Sequence, residues 1–145
     1  MPTVNRSALV RHSAQAMFDL VNDFERYPEF LPGCSDAQLL EQDDAHLVGR
    51  LTLSKAGMEQ SFVTRNDLFA PQRIELSLVD GPFKRLEGRW LFTPLSEDAC
   101  KVSLELDFEF SNRLLGMAFG KLFSQVAGQM VEAFTRRADQ LYGAS

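Results

Sequence analysis

Histidine and cysteine are scarce in this chain of 145 residues, with two copies of each. Cys34 and Cys100 lie far apart and form no C-x-x-C pair. Neither His12 nor His46 stands at ligand spacing from a cysteine, so no metal site is expected and the thiols read as reduced and packed, as in a cytosolic protein. Long apolar runs are missing too. The greasiest stretch, LLGMAFGKLF from Leu114 to Phe123, falls far short of the ~20 residues of a bilayer crossing. The opening MPTVNRSALV has no apolar centre, so no signal peptide is expected and the location reads as cytoplasmic. There is no G-x-S-x-G, no glycine-rich phosphate loop and no His/Asp/Glu set at metal spacing, and the carboxylates fall mainly on polar faces. No catalytic residue is therefore expected, and no enzyme. A net charge of -5 repels phosphate backbones, which excludes DNA as a partner and would require a local basic patch for RNA. No linker, repeat or low-complexity tract divides the chain, so residues 1–145 read as one domain.

Phenylalanine is abundant, with twelve copies against one tryptophan and two tyrosines. Such a supply can fill a core or line an apolar cavity. Thr3 to Val10 alternates loosely, as a strand. Ser13 then offers an N-cap for a short helix carrying Met17, Leu20, Val21 and Phe24. Pro28 disfavours a helical Tyr27, so the helix is expected to break or restart near RYPEF. The stretch YPEFLPGC reads as a lid, its prolines stopping the first helix and Gly33 permitting the turn into the sheet.

From about Ala37 to Phe110 the period becomes two, in short runs separated by turn residues. Phe62, Thr64 and Leu68 share one face of a strand; Leu86, Gly88, Trp90 and Phe92 share another. Cys100 to Phe110 alternates without interruption. After Ser111 and Asn112, both good N-caps, the pattern is helical almost to the end, with Leu115, Phe119, Leu122, Val126, Met130 and Phe134 on a stripe. About 30 residues of helix would span ~45 Å. This order predicts an α+β fold, an antiparallel sheet curled around a long C-terminal helix.

Two features point to function. Gly116, Gly120, Ser124 and Gly128 recur every four residues in the long helix, although glycine costs ~1 kcal/mol there against alanine. Close backbone packing explains such a series; so does free volume for an apolar cavity. In VDGPFKRLEGRW, Asp80 to Pro82 make a turn, and Lys84, Arg85 and Arg89 gather positive charge beside an exposed-looking Phe83. That cluster suits a solvated strand end, RNA phosphates with a stacked base, or an acidic partner surface.

The segments LVNDFERYPEFLPGC, LSKAG, LVDGPFKRLEGRWLFTPL, LDFEFSN and FGKLFSQVAGQMVEAFTRRA, taken in order, resemble the START-like helix-grip (Bet v 1-like) superfamily of polyketide cyclases and lipid-binding proteins. Within it they resemble the group that joins ubiquinone-binding proteins of respiring cells to bacterial toxins of ribosome association. The resemblance implies a seven-stranded antiparallel sheet gripping the C-terminal helix around a hydrophobic tunnel. It implies non-enzymatic binding of ubiquinone or another isoprenoid lipid in support of respiration, with transient contact at the inner membrane. Alternatively, it implies binding of the large ribosomal subunit, blocking subunit association. An aromatase or cyclase role, as in distant relatives, would need a polar group with a shifted pKa in the cavity. Gly33 stands where some quinone-binding relatives carry tryptophan. On the lipid reading Tyr27, Phe30, Leu31, Phe62, Trp90, Phe119 and Phe123 line or gate the cavity; on the ribosomal one Phe83, Lys84, Arg85 and Arg89 meet the partner.

Overall fold

The computed structural model describes residues 3–55 and 57–143, so the outermost residues of the expected 1–145 domain, and Ala56 of the LSKAG segment, lie outside the described residues. Strand β1 (Thr3–Val10) is followed by helix α1 (Ala14–Asn22) and a 3₁₀ helix (Phe24–Glu29). Six strands come next: β2 (Cys34–Gln42), β3 (His46–Lys55), β4 (Met58–Phe69), β5 (Arg73–Asp80), β6 (Phe83–Ser96) and β7 (Ala99–Phe110). The chain then forms helix α2 (Arg113–Tyr142). All strands join one antiparallel sheet in the order β1-β7-β6-β5-β4-β3-β2, a meander with the first strand returned beside the last.

The two-residue period fixes which face is covered. In β7 the side chains of Cys100, Val102, Leu104, Leu106 and Phe108 are buried against α1 and α2, while Lys101 and Asp107 between them are exposed. Register slips bend the sheet around α2: β2 between Cys34 and Asp36 and between Leu39 and Glu41, β5 between Leu78 and Asp80, β6 between Phe83 and Arg85 and between Pro94 and Ser96. Each inserts a residue into one strand and increases its local twist.

Both helices are capped as their sequences predict. Ser13 Oγ accepts the Ala16 N–H at 3.1 Å, and Asn112 Oδ1 accepts the Leu115 N–H at 2.9 Å. Helix α2 buries Leu122, Phe123, Val126, Ala127, Val131, Phe134 and Ala138, a stripe of helical period laid into the concave face of the sheet. Its C-terminal end is tied to the start of α1 by buried His12, whose Nε2 lies 2.7 Å from Asp139 Oδ1.

Two expectations need correction. Helix α1 ends at Asn22, before either proline, because Asp23 leaves helical geometry with ψ 69°. Pro28 instead sits inside the 3₁₀ helix, and Tyr27 beside it is helical rather than extended; the fixed φ of proline suits a tight 3₁₀ turn. The small-residue series on α2 also plays a different part. A Cβ added at Gly116 or Gly120 would meet Phe110 at 3.8 Å, and one at Gly128 would meet Arg6 at 3.7 Å, all ordinary contact. The helix therefore does not press its glycines against the sheet, and none of the four small residues borders the cavity described next.

Candidate functional site

Between the inner face of the sheet and α2 lies an apolar cavity of about 60 Å³. That is several times what one water needs (~10–15 Å³) and well below the ~300 Å³ of a typical small-ligand site. Helix α2 contributes Phe123, Val126, Ala127 and Met130, the i, i+3, i+4, i+7 set of a single face. The 3₁₀ helix and the turn after it contribute Phe24, Tyr27 and Leu31. Strands β3 to β7 form the floor, with Phe62, Thr64 and Asn66 on β4 and Trp90 on β6.

Aromatic packing explains why the cavity is small. At one end Phe123 packs on Phe62, Phe83 and Phe108, with ring centroids 5.8, 5.0 and 4.6 Å away. At the other, Tyr27 meets Phe24 at 5.0 Å and Phe134 at 5.2 Å, and Trp90 meets Phe134 at 5.3 Å. Most of the phenylalanine supply is thus core. Gly49 makes part of this possible: a Cβ there would stand 2.2 Å from Phe24 Cε1, so the absent side chain is the slot in which the ring lies.

Tyr27, Leu31, Phe62, Trp90 and Phe123 are brought together around the cavity. Phe30 and Phe119 are not. Phe30 packs on Phe134 at 5.0 Å with the Arg137 guanidinium 5.2 Å from its ring centroid, outside the lining. Phe119 is half-buried one turn before Phe123, beyond the cavity's end. Sequence reading missed Phe24, Thr64 and Asn66. The signal for the last two was available, since polar residues at inward positions of an otherwise apolar strand face are unusual.

The electrostatics of the lining are simple. Among the described residues no charged side chain borders the cavity. The Tyr27 hydroxyl donates to the Val21 carbonyl, and burial pushes this phenol well above its ordinary range. Burial likewise pushes the Cys34 thiol, at the start of β2, up to about 11. Thr64 Oγ1 donates to Asn66 Oδ1 at 3.3 Å, both side chains being buried. Beside the cavity, Pro32, Gly33, Ser54 and Lys55 face Leu122, Gln125 and Gln129 of α2 across a surface groove of about 380 Å³, and Val126 borders both spaces. Gly33 has φ +86° and brings its backbone so near Val126 that a Cβ would lie 2.6 Å from Cγ2.

The expected basic patch takes another form. Phe83 is buried, stacked on Phe110 at 4.8 Å, because the bulge between Phe83 and Arg85 reverses the alternation and turns this ring inward together with Leu86. Lys84 lies 3.5 Å from Glu109, Arg85 4.0 Å from Glu87 and Arg89 3.5 Å from Glu105. In register, Arg85 stands opposite Glu109 and Arg89 opposite Glu105, so glutamates of β7, together with Glu87 of β6 itself, neutralise the cations of β6. His46 is largely buried between Glu41 at 3.6 Å and Asp43 at 2.9 Å. Among the described residues no three His, Cys, Asp or Glu side chains are grouped to hold a metal ion. Nor is any described helix long and apolar enough to cross a membrane.

A curved seven-stranded sheet wrapped on one long helix, enclosing an uncharged apolar cavity, defines the helix-grip class of START-like proteins. The chain belongs to the polyketide cyclase/dehydrase and lipid transport family, which it matches over residues 10–135. It is 57% identical to the ribosome association toxin RatA of Vibrio cholerae over 99% of both chains. It is 27% identical to a mitochondrial coenzyme Q-binding protein homologue of Xenopus laevis, covering 96% of this chain and 59% of that one. Among solved structures, a START superfamily protein from Mycobacterium smegmatis superposes with a TM-score of 0.78 at 26% identity, covering 96% of this chain and 98% of the other. An aromatase/cyclase from a Streptomyces species superposes with a TM-score of 0.81 at 17% identity, covering 99% of each chain, a likeness of fold alone.

Proposed function

We propose that this protein is a non-enzymatic binding domain for a lipophilic ligand, an isoprenoid quinone such as ubiquinone, held between the sheet and α2. The carrying observation is the apolar cavity between sheet and helix, with no charged group among the described residues of its lining. Such a site takes up apolar molecules and offers neither a carboxylate, a histidine nor a lysine for acid–base chemistry. A relative named for coenzyme Q binding supports the choice of quinone.

The free volume of about 60 Å³ requires the cavity to widen as ligand enters. The groove between Pro32–Gly33 and α2 is the natural route, since among the described residues Val126 alone borders both spaces, and the hydrogen bond spanning the groove is a surface one, from Lys55 Nζ to Gln125 Oε1 at 3.1 Å. Loading from a bilayer would bring the protein transiently to a membrane surface. The test is to purify the protein from a quinone-containing host, extract it with organic solvent, and titrate emptied protein with decylubiquinone while following the fluorescence of Trp90. Bound quinone in the extract and saturable quenching are expected. Protein that is always empty and shows no saturable quenching ends this reading.

A second reading rests on the relatives named ribosome association toxin, which match this chain over nearly its full length. On this reading the protein engages the large ribosomal subunit through the outer face of β6, where Lys84, Arg85 and Arg89 exchange their glutamate partners for phosphates. It predicts co-sedimentation with that subunit, weakened by Lys84→Glu or Arg85→Glu and more so at higher salt. An unaltered profile of joined and separate subunits on overproduction counts against it. The two activities use different surfaces and are compatible.

A further inference from the structure

Along the inward face of β4 the alternation runs Phe62, Thr64, Asn66, Leu68, and the middle two break an apolar pattern at the cavity wall. Thr64 is 7% and Asn66 6% exposed. The Thr64 hydroxyl occupies the Asn66 carboxamide oxygen at 3.3 Å, while the two hydrogens on Nδ2 have no acceptor among the described residues. An amide donor without a partner on an otherwise apolar wall is a ready hydrogen-bonding point for a bound molecule. Here it borders a cavity that has room for more atoms.

Resting on the quinone reading above, we infer that Asn66 is the headgroup-selecting residue of this site, donating from Nδ2 to a neutral carbonyl oxygen of the ligand. The choice of a neutral acceptor follows from the lining, which has no cation to accompany a carboxylate or phosphate. The direction of the bond also sets a redox preference. A quinone oxygen only accepts, which matches the free N–H pair. A quinol brings O–H donors, which must share the Asn66 oxygen with Thr64, whose proton already takes one of its two lone pairs. The site therefore favours the oxidised form.

Strand register gives the ligand an orientation. Ser54, which borders the surface groove, pairs with Glu59, seven residues before Asn66 on β4. At ~3.3 Å per residue the groove and Asn66 stand ~23 Å apart along the strand. The headgroup lies at the deep end and the isoprenoid tail trails toward Pro32 and Gly33.

The experiment is a competition assay in which decylubiquinone quenches Trp90 and is displaced either by squalene, an isoprenoid hydrocarbon without oxygen, or by decylubiquinol kept reduced under argon. Asn66→Leu should weaken decylubiquinone about tenfold, the loss of one buried hydrogen bond, and leave squalene within about twofold. Thr64→Val, of nearly the same shape, releases the Asn66 oxygen and should narrow the preference for quinone over quinol. Equal losses for quinone and squalene in Asn66→Leu, or no loss for either, overturn the inference, as does an unchanged quinone-to-quinol ratio in Thr64→Val. If the unmodified protein binds neither probe, the quinone reading itself falls and takes this inference with it. If it binds both and the variants change nothing, only the role of Asn66 falls.

Discussion

Gly120→Ala should make this protein more stable without touching its ligand site. Glycine in the interior of a helix costs ~1 kcal/mol relative to alanine, mainly as backbone entropy. The gain is realised only where a methyl group fits. At Gly120 the nearest atom to a new Cβ outside the helix backbone is Phe110 Cε2 at 3.8 Å, so nothing has to move. The unfolding entropy of a domain is ~2.1 cal/mol/K per residue, which for 145 residues gives about 0.3 kcal/mol/K. The melting temperature should therefore rise by about 3 °C, read by calorimetry or by circular dichroism at several scan rates. Decylubiquinone affinity should stay as it was, because Gly120 does not border the cavity. A melting temperature that is unchanged or lower would refute the placement of α2 over β7, and a rise accompanied by lost binding would show that the small residues do provide ligand space after all.

The sheet glycines should behave in the opposite sense. Gly49→Ala drives a methyl into the Phe24 ring and Gly88→Ala drives one into the Glu105 carbonyl oxygen, 2.2 Å away in both cases, so each should lose about 1–3 kcal/mol in denaturant unfolding. Asn112→Ala removes the cap of α2 and should cost ~1 kcal/mol, with hydrogen exchange rising in the first turn of that helix alone. Burial pushes the thiols of Cys34 and Cys100 and the phenol of Tyr27 upward, so the folded state holds protons that the unfolded chain releases. Their contribution is complete below the ordinary thiol range near 9 and is lost as pH rises, through about 11 for Cys34. The denaturation midpoint should fall over that window, and Cys34→Ala should flatten the fall. In the native protein at pH 8, Cys34 should react with a disulfide reagent far more slowly than in denaturant.

Where alternation or helical period runs unbroken, the fold was legible. The first strand, the Cys100–Phe110 strand and the 30-residue C-terminal helix stand where their patterns put them, and both N-caps carry their hydrogen bonds. What the sequence hid were events of one residue or of partnership. The bulge after Phe83 leaves no signature in composition, yet it decides whether that ring is wet or dry. The neutralisation of Lys84, Arg85 and Arg89 depends on glutamates in other turns of the alternation, two of them on a neighbouring strand, and charge counted within one segment cannot see that. The cavity was anticipated from aromatic supply and resemblance, whereas its small size follows from how rings interlock across α2 and the sheet. Thr64 was assigned to the inward face, and its polarity there was the overlooked sign of a pair of hydrogen-bonding side chains joined to each other on the cavity wall.

The segment from Phe24 to Gly33 is fastened unevenly. Arg137 holds its middle from outside, donating to Glu29 at 2.9 Å with its guanidinium over the Phe30 ring. At the far end Gly33 is bound to β3, its carbonyl accepting the Ser54 N–H at 2.9 Å, while toward α2 it sets only backbone against Val126. The segment is thus a door with its hinge post at Arg137 and a smooth latch edge at Gly33. Swinging that edge away from α2 would separate apolar surfaces without dismantling the ion pair, so salt strong enough to screen Arg137 from Glu29 would loosen the hinge while leaving the latch as it is.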